Sequence, residues 1–170
     1  EAYKKAIEMQ PDYADPYYNL GNALREQGKQ DEAIEAYTEA IEIKPDFAWA
    51  QNNIGIILQD QGHLNEAIKA YKKAIEMQPE FADAYHNMGI VFQDQGKLDK
   101  AVETYTEAIG IKPDYALAYN NLGIALKDQG HLNEALEAYK KAIEMQPDYA
   151  DPYYNMGVVL QDQGNLDKAI

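Results

Sequence analysis

The sequence is built on a period of 34 residues. Prolines and glycines recur at this spacing from one end of the chain to the other. The recurring positions are Pro11, Pro45, Pro79, Pro113 and Pro147; Gly21, Gly55, Gly89, Gly123 and Gly157; and Gly28, Gly62, Gly96, Gly130 and Gly164. A fixed period of this length indicates small structural units that each bury an apolar face against their neighbours. The sequence therefore predicts a repeat protein.

The first half of each period has the apolar spacing of an amphipathic helix. In the first full period the apolar face consists of Tyr17, Leu20, Gly21 and Leu24. Gly28 suits the left-handed residue that ends many helices, and Asp12 or Asp15 could cap the start. We call this segment, residues 15–28, helix A.

The second half of each period predicts another helix, which we call helix B. In residues 31–45 one face carries Ala33, Tyr37, Ala40 and Ile41. Asp31 is a candidate N-cap, and Pro45 closes the element. Because Gly21 and Ala33 are small and lie on the two apolar faces, the axes of helices A and B can approach closely.

A 34-residue helix–turn–helix unit with these residues resembles the tetratricopeptide repeat (TPR) family. The positions that carry the resemblance in the first full repeat are Tyr17, Leu20, Gly21, Leu24, Ala33, Tyr37, Ala40 and Pro45. The resemblance covers the whole chain. It implies an all-α fold, a right-handed α-solenoid superhelix of helix-turn-helix repeats in which helix A lines the concave groove.

The period divides the chain into one array of complete and partial repeats. The predicted units are a lone helix B at 1–13, full repeats at 14–47, 48–81, 82–115 and 116–149, and a partial repeat at 150–170. The last residues, LDKAI, joined to the first, EAYKKAIEMQP, closely match an interior stretch at 65–79. We therefore expect either a window of a longer array or a unit that stacks end to end through Glu1 and Ile170.

Composition limits the partners of this chain. The formal net charge is −14, from 29 acidic and 15 basic residues, so most of the surface would repel a phosphate backbone. No apolar run approaches the roughly 18 residues of a membrane span, and we expect no secretion signal because the first residues lack its basic and apolar segments. We expect no nucleic acid, no membrane and a cytoplasmic location. The sequence has no cysteine, which excludes disulfides and thiolate metal sites.

Candidate catalytic and metal-binding groups are few. His63 and His131 each precede a helix B and lie two repeats apart, too far from each other to share a metal ion. The glycines recur as packing and helix-stop residues, with no phosphate-binding Gly-x-Gly loop after a strand. The sequence therefore predicts no enzyme activity, no metal and no cofactor.

One polar column on helix A is more specific than the fold. An asparagine stands in the middle of every helix A, although asparagine is a mediocre helix former. The column comprises Asn19, Asn53, Asn87, Asn121 and Asn155. It is similar to the asparagine ladder in the repeat superhelix of O-linked N-acetylglucosamine transferases, which holds an extended polypeptide by its backbone. The alternative is that each asparagine bonds to the next repeat, or persists only because the units are recent duplicates.

Side chains that vary from repeat to repeat flank this column. One variable column is Tyr18, Asn52, His86, Asn120 and Tyr154; another is Asn22, Ile56, Ile90, Ile124 and Val158. Tyr18, Tyr154 and Trp49 are candidate hot spots, because large aromatic side chains dominate many interfaces. Packing against a neighbouring helix is the alternative role of each.

These observations favour a non-catalytic protein–protein interaction scaffold. It would bind an extended peptide segment in the concave groove lined by helix A. A structural superhelix that assembles end to end is one alternative. The other is a substrate-recognition arm of a larger protein, such as an enzyme like the O-linked N-acetylglucosamine transferases.

Overall fold

A computed structural model of the chain describes residues 1–164, and every regular element in that range is an α-helix. The helices are α1 (Ala2–Met9), α2 (Ala14–Glu26), α3 (Gln30–Ile43), α4 (Ala48–Asp60), α5 (Leu64–Met77), α6 (Ala82–Asp94), α7 (Leu98–Ile111), α8 (Ala116–Asp128), α9 (Leu132–Met145) and α10 (Ala150–Asp162). The even-numbered helices are the A helices, and the odd-numbered ones are the B helices. The prediction of an all-α array of two-helix repeats is confirmed.

A left-handed glycine ends each A helix, as the sequence predicts. Gly28 has φ of 75°, and the equivalent glycines have φ between 68° and 83°. After α2 the backbone N–H of Lys29 donates to the carbonyl of Leu24 at 2.9 Å, and that of Gly28 donates to Arg25 at 2.9 Å. These two bonds form the Schellman pattern, which satisfies carbonyls at the helix end and turns the chain toward helix B.

The helix starts differ from the predicted caps. α3 begins at Gln30 with Lys29 in the N-cap position, so Asp31 lies inside the first turn. α2 begins at Ala14 after Tyr13, and neither helix has a side-chain cap hydrogen bond. The acidic residues of the first turn act instead through their charge, which is favourable near the positive end of the helix dipole.

The core of each repeat is a tyrosine of helix B packed on a glycine of helix A. Tyr37, Tyr71, Tyr105 and Tyr139 are fully buried. An added Cβ at Gly55 would lie 2.6 Å from Cε1 of Tyr71, and the other A-helix glycines of the complete repeats are as tightly covered. Buried alanines of helix B, such as Ala33 and Ala40, complete the close contact. Small residues on both helices therefore allow the aromatic ring to lie between them.

The chain divides into two compact units, residues 1–84 and residues 85–170. In the first unit α2 packs on α3, α4 packs on both α3 and α5, and α1 packs on α2. Its core joins Leu24, Tyr37 and Ile57 with half-buried neighbours that include Phe47.

In the second unit α8 packs on α7 and α9, and α10 packs on α9. Tyr139 and Val159 lie in its core with half-buried Ile124, Leu136 and Met156. Each unit therefore repeats the same local packing along the sequence.

We expect Gly55→Ala to destabilise the protein by about 1–3 kcal/mol, because the new methyl group would overlap the buried ring of Tyr71. Gly110→Ala is the matched control: Gly110 is exposed in α7, and an added Cβ there meets nothing within 4 Å. That change should stabilise the protein by about 0.5 kcal/mol through helix propensity. Urea unfolding measures both, and equal effects of the two changes would contradict the packing.

Candidate functional site

Three asparagines of the helix A column, Asn53, Asn121 and Asn155, donate hydrogen bonds to the preceding repeat. Asn53 is only 7% exposed, and its Nδ2 lies 3.0 Å from Oδ1 of Asn22. The same nitrogen lies 3.3 Å from the hydroxyl oxygen of Tyr37 and 3.4 Å from that of Tyr18. One amide of α4 therefore contacts three polar groups of α2 and α3.

The second unit contains the same arrangement with different partners. Nδ2 of Asn121 lies 3.0 Å from Nε2 of His86, and Nδ2 of Asn155 donates to Oδ1 of Asn120 at 3.0 Å. An amide nitrogen can only donate, so Nε2 of His86 is the acceptor in this contact. In both units an asparagine of the column contacts the side chain 35 residues earlier. These contacts join neighbouring repeats, as the alternative role predicts, but each runs to the preceding repeat rather than to the next one.

The amide oxygens of the column are used differently from the nitrogens. Within residues 1–164, Oδ1 of Asn53 and Oδ1 of Asn155 accept no hydrogen bond, and neither atom is fully enclosed. Oδ1 of Asn121 accepts a long bond of 3.5 Å from Asn120. Asn19 is half-buried with no hydrogen bond in the described chain, and Asn87 is half-buried at the equivalent position of α6. The column thus retains acceptor capacity.

Two aromatic members of the first variable column, which was predicted to face a ligand, pack against helix B and the loop that follows it. The ring centroid of Tyr18 lies 4.9 Å from that of Phe47 and 5.7 Å from that of Tyr37. His86 is 7% exposed, with its ring 5.0 Å from Tyr115 and 5.8 Å from Tyr105. These two side chains are therefore packing residues as well as hydrogen-bond partners of the column.

The other candidate residues keep more exposed surface. Tyr154 is 73% exposed, and Trp49 is 46% exposed although its ring lies 4.5 Å from that of Phe81. Ile56, Ile90 and Ile124 are half-buried. Tyr154 and Trp49 thus present aromatic surface to solvent.

Beneath the column lies a row of tyrosine hydroxyls that sequence reasoning missed. The hydroxyl of Tyr37 donates to Oδ1 of Asn22 at 2.7 Å. Those of Tyr71 and Tyr105 donate to the glutamine side-chain oxygens 12 residues earlier, Gln59 at 2.8 Å and Gln93 at 2.9 Å. The signal was present, since Gln59 and Gln93 sit at equivalent positions of their A helices.

Burial changes the acidity of these tyrosines. Loss of solvent, with a smaller contribution from the carboxylate of Asp60 or Asp94, raises the pKa of Tyr71 and of Tyr105 far above the usual value of 10. Burial and then Asp128 raise the pKa of Tyr139 to about 12. All of these hydroxyls are therefore protonated donors at neutral pH.

The two histidines that precede B helices are not part of a metal-binding cluster in the described part of the chain. His63 and His131 are exposed N-cap residues without cap hydrogen bonds from their side chains. No group of three or more histidine, aspartate or glutamate side chains in residues 1–164 could hold a metal ion. Among the helices of the same range, none has the length and apolar content to cross a bilayer.

The predicted end-to-end contact falls partly outside the structure. Glu1 is exposed, and α1, which follows it, has no buried residue. Ile170 lies outside the described residues, so stacking between Glu1 and Ile170 stays a prediction.

Comparison with protein families identifies the repeat. A TPR repeat model matches residues 21–62, 57–96, 92–130 and 125–164, and a tetratricopeptide repeat model matches residues 2–35. The chain belongs to the tetratricopeptide repeat family. The all-α solenoid class predicted from the sequence is confirmed, and the TPR fold is typical of protein–protein interaction scaffolds. No curated protein sequence matches the chain.

Several solved TPR structures are similar to this chain. YrrB, described as a TPR protein with an unusual peptide-binding site, is 28% identical with a TM-score of 0.79, over 100% of this chain and 88% of that chain. MamA is 29% identical with a TM-score of 0.80, over 88% of each chain. PilF of Pseudomonas aeruginosa, 20% identical with a TM-score of 0.84 over 99% of this chain and 74% of that chain, shares the fold.

We expect Asn53→Ala to destabilise this TPR protein by about 1–2 kcal/mol, because it removes the buried donor shared by Asn22, Tyr18 and Tyr37. The matched control is Asn19→Ala in the same column, where no hydrogen bond is lost in the described chain. That change should stay within about 0.5 kcal/mol of the parent. Chemical denaturation compares the two variants, and similar losses would contradict a role for the Asn53 contacts.

The raised tyrosine pKa values predict a loss of stability in alkali. An unfolded tyrosine ionises near pH 10, whereas the folded rings keep their protons, to about pH 12 for Tyr139. Between these values the folded state binds more protons, so the free energy of unfolding should fall as pH rises. Urea unfolding at pH 9 and pH 11 measures the fall. Tyr71→Phe should reduce this fall in the free energy of unfolding. A fall as large in the variant as in the parent would assign the effect to other groups.

Proposed function

We propose that this TPR array is a non-catalytic scaffold that binds an extended peptide by its backbone along the groove lined by helix A. The observation that carries the proposal is the remaining acceptor capacity of the asparagine column. Oδ1 of Asn53 and Oδ1 of Asn155 accept no hydrogen bond in the described chain, while their Nδ2 atoms are held by the preceding repeat. Column oxygens fixed in this way could accept bonds from peptide N–H groups.

Preorganisation supports this role. An acceptor held in one orientation loses little side-chain entropy when a ligand binds. The Nδ2 contacts of Asn53 and Asn155 fix the amide plane and therefore the direction of each oxygen. Backbone N–H groups are common to all sequences, so the column would bind peptides of varied sequence. The exposed aromatic surfaces of Trp49 and Tyr154 would add selectivity.

The charge of the chain favours a basic peptide. The last residue of each A helix is an exposed acidic residue. These residues form the column Glu26, Asp60, Asp94, Asp128 and Asp162. The whole chain has a net charge of −14. The acidic column would therefore attract lysine and arginine side chains and speed their encounter with the groove.

Similarity to a peptide-binding relative supports the same class of ligand. YrrB, which covers the whole of this chain at 28% identity, has a peptide-binding site by its description. A recognition arm of a larger enzyme would use the same groove, and the column is similar to the ladder in O-linked N-acetylglucosamine transferases. We assign no reaction to this chain itself.

The test uses a fluorescein-capped, C-amidated dodecapeptide of alternating lysine and alanine at about 150 mM salt, where long-range attraction is screened. Fluorescence anisotropy measures its affinity for the parent and for Asn53→Ala/Asn155→Ala. We expect the double variant to bind about tenfold more weakly, from two lost hydrogen bonds of about 0.5–1.5 kcal/mol each. Asn133→Ala, which changes an exposed asparagine of α9 outside the column, should bind as the parent does.

A second peptide tests the backbone directly. N-methylation of alternate amides removes peptide N–H groups while leaving the charge unchanged, and it should weaken binding to the parent by a similar factor. Circular dichroism confirms that each variant is folded at the temperature of the assay. Equal binding of the methylated peptide, or no binding of either peptide, would refute backbone capture by the column.

A further inference from the structure

One tyrosine of the buried row differs from the other three. Tyr37, Tyr71 and Tyr105 donate their hydroxyls to side-chain oxygens of helix A. The hydroxyl of Tyr139 is enclosed and has no hydrogen-bond partner, the one buried side-chain polar atom of residues 1–164 in that condition. A buried donor without an acceptor is costly, so such groups call for a specific explanation.

The sequence explains why this hydroxyl lacks an acceptor. The position 12 residues before the tyrosine holds Gln59 and Gln93 in the second and third complete repeats, and Lys127 in the fourth. An ammonium group has no lone pair and cannot accept. The position 15 residues earlier, where Asn22 serves Tyr37, is Ile124 in the fourth repeat. Both positions that supply acceptors elsewhere are therefore unable to do so.

One hydroxyl of this row contacts the asparagine column directly. In the first complete repeat the hydroxyl oxygen of Tyr37 is 3.3 Å from Nδ2 of Asn53, 16 residues later. The equivalent of Asn53 for Tyr139 is Asn155, whose Nδ2 is directed to Asn120. By the 34-residue repeat, the Tyr139 hydroxyl corresponds to the Tyr37 hydroxyl, which lies beside an asparagine of the column.

We propose that the Tyr139 hydroxyl is a ligand-binding donor that bonds a backbone carbonyl oxygen of the bound peptide. This inference rests on the proposed peptide-binding function. It gives the groove a donor next to the acceptors of the column, so that both halves of a peptide group are recognised.

The side chain at the acceptor position of the fourth repeat, Lys127, can move. Lys127 is long and unbranched, its side chain is 31% exposed, and its ion pair is a loose 3.6 Å contact with the adjacent Asp128. Such a surface pair offers little resistance to rearrangement. The nearby carboxylate of Asp128 disfavours an anionic ligand at this point, which leaves a neutral carbonyl as the matching acceptor.

Three variants separate this role from a simple packing defect. Tyr139→Phe removes the unpartnered hydroxyl, and Lys127→Gln supplies the internal acceptor found in the second and third complete repeats. Tyr105→Phe is the matched control, because the hydroxyl of Tyr105 is already bonded to Gln93. The probe is the fluorescein-capped lysine–alanine dodecapeptide, and urea unfolding of each free variant accompanies the anisotropy measurement.

We expect Tyr139→Phe and Lys127→Gln to weaken peptide binding about threefold to tenfold, the range for one neutral hydrogen bond. Neither should lower the urea midpoint, and Lys127→Gln should raise it. Tyr105→Phe should lower the midpoint and leave affinity unchanged. Unchanged affinity in both Tyr139→Phe and Lys127→Gln, with the column variants still defective, would overturn this inference alone. Failure of the parent to bind the probe would overturn the peptide-binding function, and this inference with it.

Discussion

The contact between a helix B tyrosine and a helix A glycine is the interaction on which each repeat depends. The rings of Tyr37, Tyr71, Tyr105 and Tyr139 are fully buried, and the glycine opposite each ring leaves no space for a Cβ atom. Because the ring crosses the whole interface between the two helices, its hydroxyl reaches polar residues on helix A. A single packing contact therefore also fixes the position of a hydrogen-bond donor.

That coupling explains why repeats with nearly the same apolar core differ in their polar layer. The hydroxyl of Tyr37 uses Asn22, those of Tyr71 and Tyr105 use glutamines, and that of Tyr139 uses none. Substitution at the acceptor positions of helix A changes this layer without changing the ring or the glycine. The packing and the polar surface of a TPR unit can therefore vary almost independently.

The sequence was sufficient to predict what is local to one repeat. The spacing of Gly21, Ala33 and Tyr37 predicted the two helices, their apolar faces and the left-handed stop at Gly28. It did not predict that Lys29, rather than Asp31, precedes α3, because the first turn is held by backbone bonds and charge. It also left open whether Asn53 faces a ligand or a neighbour. The contact between Asn53 and Tyr18 joins residues 35 apart in the chain, so it depends on how one repeat stacks on the next.

The asparagine column shows why the two roles considered for it need not compete. A primary amide is planar, with two N–H donors on one side of its carbonyl carbon and an acceptor oxygen on the other. When Nδ2 of Asn53 or Asn155 bonds to the preceding repeat, the oxygen is turned away from that bond and held there. An aspartate in the same place would lose the donor and bring a buried charge, and an alanine would lose both functions. Asparagine is thus the side chain that joins repeats and still offers an acceptor. These two roles offset the cost of its low helix propensity at this position.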